Sequence, residues 1–324
     1  MRYLGSKYRL MPFIEYVIEK VTNGKYETFA DIFAGTGIVG RTYRERGYNV
    51  ISNDIQYYSY ILNKHYIENN NGAEESLLLH LNAIRGKKGF IYKNYGKSSG
   101  KICFSDYNAM KIDSIRLEIE KLYRERKINQ SEYIHCLASL LNSIDKYSNT
   151  TAIYSSYLKT LTSTAQRKFI LKPLSVIEGI RGKVYNEDAN SLIRKITGDV
   201  LYLDPPYNAR QYCRIYHLLE TVAKYDNPKL VGENRVRCYL DNKSSYSSTK
   251  TAGSSLEDLI FHANFKYIFL SYNNEAIIPE NKIKTIMSRY GNYQCYSTKY
   301  QRFKLNKGFF QPKYTIEYLH CLKK

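Results

Sequence analysis

The stretch Asp199-Val-Leu-Tyr-Leu-Asp-Pro-Pro-Tyr207 constrains this chain more than any other. Val200 to Leu203 has the β-branched and aromatic composition of a buried strand. Pro205 and Pro206 lack an N–H and fix φ, so the strand must end there in a stiff, extended turn. An acid, a carbonyl outside the ladder and an aromatic face are thereby set at the carboxyl end of a strand. Open α/β sheets bind their ligands at that end. The plainer alternative is a strand stopped by two prolines, with Tyr207 on the surface.

Upstream, Thr28 to Gly40 runs from an apolar strand through a glycine turn into a helix over Ile38–Arg46. Gly35, Gly37 and Gly40 fit G-x-G-x-x-G, so a nicotinamide enzyme enters the list of readings. Glycine permits positive φ and lets a ligand approach the backbone closely. Tyr48 to Ser52 follows as a second strand ending at Asn53-Asp54, where an acid can accept hydrogen bonds from ribose hydroxyls. Before all this, Gly5-Ser6-Lys7 precedes a helix over Phe13–Val21. It offers donors to an anion, or is simply a flexible basic start.

The βα rhythm breaks from about 69 to 181. Gly86 to Gly100 is basic and glycine-rich, with Lys87, Lys88, Lys93 and Lys97 around Tyr92 and Tyr95. Two helices follow, striped by Ile112, Ile115, Ile119 and Leu122, then by Ile134, Leu137, Leu140, Leu141 and Ile144. Asn149 to Tyr157 is polar, aromatic and nearly uncharged. It suits either base contacts or an ordinary loop. An insertion of this length is a second domain rather than a loop.

The sheet resumes at Lys183–Asn190, a strand ending in acids, with Ala189–Ile196 helical. Glu187 or Asp188 can receive a purine amine, or cap that helix. After Tyr207 the pattern predicts a helix over His217–Lys224, a basic loop over Val236–Ser254 and a strand over Phe265–Asn274. A helix over Pro279–Ser288 and an antiparallel hairpin of Tyr293–Phe303 with Tyr314–Leu322 close the chain.

A net charge of +19 calls for a polyanionic partner, nucleic acid ahead of an anionic membrane surface, unless a lysine-rich compositional bias explains it. Thirty-four tyrosines and no tryptophan fit the same bias and also suit base stacking. There is no membrane-spanning apolar run and no secretory h-region. Six scattered cysteines without a C-x-x-C pair argue for reduced thiols in a cytoplasm and against a metal site.

With these motifs in hand, the chain resembles the Dam-like, alpha-type DNA adenine-N6 methyltransferases, especially those of type II restriction-modification systems. Arg2-Tyr-Leu-Gly-Ser-Lys7 resembles the family's amino-terminal cofactor motif, and Asp31-Ile-Phe-Ala-Gly-Thr-Gly37 its main cofactor loop. Asn53-Asp54 resembles its ribose acid, and Asp204-Pro-Pro-Tyr207 its catalytic motif. The insertion also looks familiar from Phe104-Ser-Asp-Tyr-Asn108 through Asn149-Thr-Thr151. The resemblance implies a Rossmann-like α/β sheet, mostly parallel with an antiparallel carboxyl-terminal hairpin. Residues 1–68 and 182–324 would form the catalytic domain. Residues 69–181 would form an inserted, largely helical target-recognition domain.

It further implies S-adenosylmethionine as methyl donor and S-adenosylhomocysteine as product. Tyr3, Lys7, Asp31, Phe33, Gly35, Gly37, Asp54, Ile55, Asp188, Ala189 and Asp204 would hold that cofactor. Lys7 would neutralise its carboxylate, Asp54 would bind its ribose and Asp188 its adenine. Asp204 and the Pro205 carbonyl would accept the two N6 protons of an extruded adenine, Pro206 would stiffen the turn and Tyr207 would stack on the base. Double-stranded DNA is the implied partner, with a cognate restriction endonuclease, no membrane, and a monomer or weak dimer in the cytoplasm. An N4-cytosine methyltransferase needs the same acceptors but is associated with serine in place of Asp204. A nicotinamide dehydrogenase leaves Asp204–Tyr207 without purpose, and a non-catalytic nucleic-acid binder leaves the glycine loop idle.

Overall fold

Apolar runs too short for helices, each bounded by turn residues, build the sheet in this computed structural model, which describes residues 3–151, 153–238, 243–301 and 314–324. Arg2, Ala152, residues 239–242 of the basic loop and the end of the expected strand at Phe303 lie outside the described residues. The strands are Thr28–Asp31 (β1), Asn49–Asn53 (β2), Lys183–Tyr185 (β3), Thr197–Leu203 (β4), Leu230–Val231 (β5), Val236–Arg237 (β6), Asn264–Asn273 (β7), Asn292–Gln301 (β8) and Tyr314–Lys323 (β9). Seven of them form one sheet in the order β3-β2-β1-β4-β7-β9-β8, and β5 and β6 make a separate hairpin. From β3 to β7 every pairing is parallel, whereas β9 runs antiparallel to both β7 and β8. A dinucleotide fold would continue with a parallel strand. Here β9 wedges between β7 and β8, which counts against the nicotinamide reading.

The central strands are apolar on both faces because helices cover both. On one face Ala30, Leu201, Leu203, Ile268 and Leu270 pack against helices Ala189–Leu192, Ala252–His262 and Glu280–Ser288. On the other, Phe29, Val50, Val200, Tyr202 and Phe269 meet Met11–Thr22 and Ile38–Glu45. Alternation along β1 and β4 therefore sorts side chains between two cores, not between core and water. The helix Ala252–His262 overrides the expected loop to Ser254. Gly253, Ser254 and Ser255 are poor helix formers, but Leu256, Leu259 and Ile260 bury on one face and carry the first turn with them. The helix expected over Ala189–Ile196 is a single turn, Ala189–Leu192.

The insertion's two long helices are Asp106–Arg124 and Gln130–Tyr147, the second started by a capping box of Asn129 and Glu132. Their isoleucine and leucine stripes are core. That core is not closed within 69–181, because it includes Tyr58, Ile61 and Leu62 from Tyr57–Asn63 and Leu218, Leu219 and Val222 from His217–Lys224. Within Gly86–Gly100 the chain forms a short helix, Phe90–Tyr95, where sequence alone shows only a basic glycine-rich stretch. The buried Asp113 carboxylate holds its start, accepting from the N–H groups of Gly89 (3.0 Å), Ile91 (2.9 Å) and Tyr92 (2.8 Å). An anion at a helix start satisfies N–H groups that have no partner inside the helix.

Candidate active site

The strand order reverses between β1 and β4, so a crevice opens beyond their carboxyl ends. Asp31 pairs in register with Tyr202, which puts Asp31 and Asp204 at the same end of neighbouring strands. Between them lies an open cleft at the carboxyl ends of these strands, where ligands of such sheets sit. Tyr3, Lys7, Asp31, Phe33, Gly35, Asp54, Ile55, Asp188, Ala189, Asp204 and Pro206 all line it. Gly37, Pro205 and Tyr207 do not, although each flanks a residue that does.

Two glycines shape the turn after β1. Gly35 has φ 51° and Gly37 φ 79°, both left-handed. A Cβ on Gly37 would sit 2.8 Å from Asn63 Oδ1, and one on Gly35 3.0 Å from the Tyr3 ring. A Cβ on Gly40 would meet nothing nearer than 3.4 Å, so the third glycine of the fingerprint is not sterically demanded. The turn is held from beneath by Asp54, whose two oxygens accept from Gly35 N and Gln56 N, each at 2.8 Å. Asn53 ties three strand ends together, donating to Ile32 O and Glu187 O and accepting from Glu187 N. Asp188 caps Ser191 N at 3.1 Å and also lines the cleft. The Glu187 carboxylate is taken up by Lys195.

Across the cleft Tyr246 meets Phe33 edge to face, ring centres 5.0 Å apart, and donates its hydroxyl to Asn190 Oδ1 at 2.7 Å. Gln211 bridges to Ser244, accepting from its N–H at 2.9 Å. These lining residues carry no local sequence signal. Tyr246 sits in a serine-rich stretch that looks like any loop.

The amino-terminal segment straps the cleft. Tyr3 stacks on Tyr216 at 4.4 Å, and Leu4 N donates to Tyr216 Oη at 2.7 Å. This brings Lys7 to Asp204, with Nζ 3.1 Å from Oδ1, a pairing that sequence cannot predict. Lys7 also sits 5.6 Å over the Tyr207 ring. Burial works against the Lys7 charge, but Asp204, Glu317 and Tyr207 outweigh it and hold the ammonium above its usual range. Burial raises Asp204 above an ordinary carboxyl, opposed by Lys7. Burial also pushes Asp31 up to about 8, helped by Asp204, and Asp54 up to about 7, against the N–H groups of Gln56 and Gly35.

Two stretches of the insertion turn out to be architecture. Asn149 is fully buried, donates to Ile102 O and Leu158 O, and accepts from Thr162 N. Asn108 does the same for Ala165, Arg167 and Phe169. Neither amide is available to a base edge, while Thr151, Ser156 and Lys159 nearby in sequence are exposed.

A family model described as D12 class N6 adenine-specific DNA methyltransferase matches residues 3–307. The chain is 41% identical to the type II methyltransferase M.NlaIII of Neisseria lactamica, across 100% of this chain and 99% of that one. It is 39% identical to the type II methyltransferase M.FokI of Planomicrobium okeanokoites and 36% identical to the modification methylase LlaI of Lactococcus lactis subsp. lactis. Those alignments cover 94% and 95% of this chain but 50% and 52% of the relatives, so the chain spans about half the length of these two.

Proposed function

The chain belongs to the D12 class N6 adenine-specific DNA methyltransferases, and from that premise we propose that Asp204, the Pro205 carbonyl and Tyr207 hold the target adenine beside a cleft that holds the methyl donor. The reaction is site-specific methylation of adenine N6 in DNA, as the modification activity of a restriction-modification system. S-adenosylmethionine supplies the methyl group as an electrophile on sulfur, and S-adenosylhomocysteine leaves. The cleft fits that cofactor. Asp31 Oδ1 and Gln56 Oε1 are buried on its wall without a hydrogen-bond partner, and both are acceptors suited to a cationic or hydroxyl-bearing ligand. Asp31 would meet the cationic end, Asp54 the ribose, and Phe33 with Tyr246 would flank the adenine ring.

The single observation that carries the reading is the placement of Asp204 just past β4, on the cleft whose other wall is the glycine turn. An adenine amine is conjugated with its ring and is a poor nucleophile. Two acceptors fixed on its protons turn its lone pair out of the ring plane, and positioning supplies most of the rate. Adenine inside a duplex cannot reach this turn, so the nucleotide must be extruded. Duplex DNA, action as a monomer or weak dimer, a cytoplasmic setting and a cognate endonuclease for the same site belong to the same proposal. No helix among the described residues is long and apolar enough to cross a membrane. Incubating unmodified plasmid with the protein and S-adenosylmethionine, then sequencing for 6-methyladenine, tests reaction, base and site together. A plasmid returned without the mark, or carrying 4-methylcytosine instead, rejects the reading.

Two further results are expected. Tyr207→Ala weakens capture of the extruded base by roughly 1–3 kcal/mol, the value of a base stack. The loss should appear as a higher KM for DNA with cofactor affinity intact, and an unchanged KM would remove Tyr207 from the base site. The second concerns pH. Asp31 and Asp54 titrate near 8 and 7 in the folded protein, against about 3.9 when unfolded. Between those limits the folded state holds protons the unfolded state has lost, so stability of the ligand-free protein falls as pH rises. A cationic ligand favours the ionised carboxylates, so S-adenosylmethionine affinity should rise from pH 6 to pH 8 with release of protons. Calorimetry in buffers of different ionisation heat reads that release directly; a buffer-independent heat contradicts it.

A further inference from the structure

Lys7 poses a problem for the mechanism. Its ammonium occupies Asp204 Oδ1, the carboxylate that must accept from the adenine amine, and Lys7 is only 6% exposed. The amine and the ammonium must then share one carboxylate, and a buried ammonium drawn off its partner is costly unless another anion receives it. One stands nearby. Glu317 on β9, opposite Asn273 of β7, is 7% exposed, and its charge bears on both Lys7 and Asp204. Among the described residues no basic residue other than Lys7 acts on Glu317, and an Asn273 hydrogen bond steadies it. Around Asp204 the ionisable groups among the described residues are Lys7 from the amino-terminal strap, Asp31 from β1, Tyr202 from β4, Tyr207 and Tyr212 beyond β4, and Glu317. A single cation among the described residues, Lys7, thus faces two buried carboxylates, Asp204 and Glu317.

We propose that Lys7 is a movable counter-ion for Asp204, with Glu317 as its second seat. Lys7 keeps the Asp204 carboxylate ionised and in place before the base arrives, and shifts toward Glu317 when the adenine amine takes over the oxygen. This makes Lys7 and Glu317 positioning residues rather than groups that touch the cofactor, and it rests on the reading of Asp204 as amine acceptor.

The test is single-turnover methylation of a duplex carrying the site, by the full chain at saturating S-adenosylmethionine, as a function of pH. Lys7→Met removes the cation and should move the acid limb of the rate to higher pH by about one unit, the low end of the effect of a neighbouring opposite charge. Glu317→Gln removes a like charge and strands Lys7 on Asp204, so the limb should move to lower pH while the plateau falls. In the double variant the two shifts oppose and the limb returns toward that of the parent. Cofactor affinity should be unaffected throughout. Limbs that stay put in both single variants overturn the proposal. So does a Lys7→Met protein that loses cofactor binding with its limb unmoved, which would assign Lys7 to the cofactor carboxylate. If Lys7→Met does not fold, Glu317→Gln decides alone, and a limb that is unmoved or moved upward rejects the switch. An Asp204→Asn control separates the layers. Full activity there fails the acceptor reading itself, whereas an inactive control with unmoved limbs fails only the Lys7–Glu317 pair.

Discussion

Asp204→Ala should reduce methyl transfer about a hundred- to a thousandfold, the scale of losing one preorganised electrostatic partner at a reacting centre. The physical reason is that the Pro205 carbonyl alone can hold one amine proton, leaving the other free and the lone pair conjugated with the ring. Binding of S-adenosylmethionine should survive, because Asp54, Asp31 and the glycine turn stand on β1 and β2 rather than on the Asp204 turn. The variant also leaves Lys7 buried without its ion pair, which by itself costs stability. Nearby Glu317 softens that cost. Single-turnover rates and cofactor binding measured on the same preparation separate the two effects. Near-normal methylation by Asp204→Ala would remove Asp204 from the catalytic role.

The second large effect concerns Asp113, far from the chemistry. Its carboxylate accepts from three backbone N–H groups at the start of Phe90–Tyr95 and from the Tyr225 hydroxyl at 2.6 Å. Removing a partner that leaves buried donors unsatisfied costs about 1–3 kcal/mol per group. Partial rehydration lowers the sum, so Asp113→Ala is expected to lose about 3–5 kcal/mol, among the larger single-site losses. Urea denaturation reads this, and a loss below about 1 kcal/mol would show that the helix start finds other acceptors. Asp113 joins the insertion to the segment after the catalytic turn, so DNA affinity should fall in parallel with stability while cofactor affinity holds.

Much of the site is legible in the chain because it is built from short contiguous runs. Asp31 to Gly37 is strand, tight turn and helix start in one piece, and Asp204 to Tyr207 is a strand end made rigid by its own prolines. The hairpin is equally visible, since β8 alternates half-buried with exposed side chains and the first half of β9 alternates buried with exposed ones. The insertion's boundary is less so. Periodicity identifies both long helices, but not that Tyr58 and Leu219 complete their core. From composition Asn149 suits a base contact or an ordinary loop equally, and only its buried carbonyl partners reveal it, like Asn108, as a loop anchor.

By itself, then, sequence determined the strand order's raw material, the glycine turn, the ribose acid and the acid-proline-proline-aromatic turn, because backbone conformation over a few residues follows from local sterics and hydrogen-bonding capacity. Tertiary structure alone decided that Lys7 lies on Asp204, that Tyr246 faces Phe33 and that Asn53 clamps three strand ends. Those pairs are separated by up to some two hundred residues of chain, and their energies come from burial and charge in a shared, water-poor cleft. No local pattern encodes who meets whom there; the packing of the sheet does.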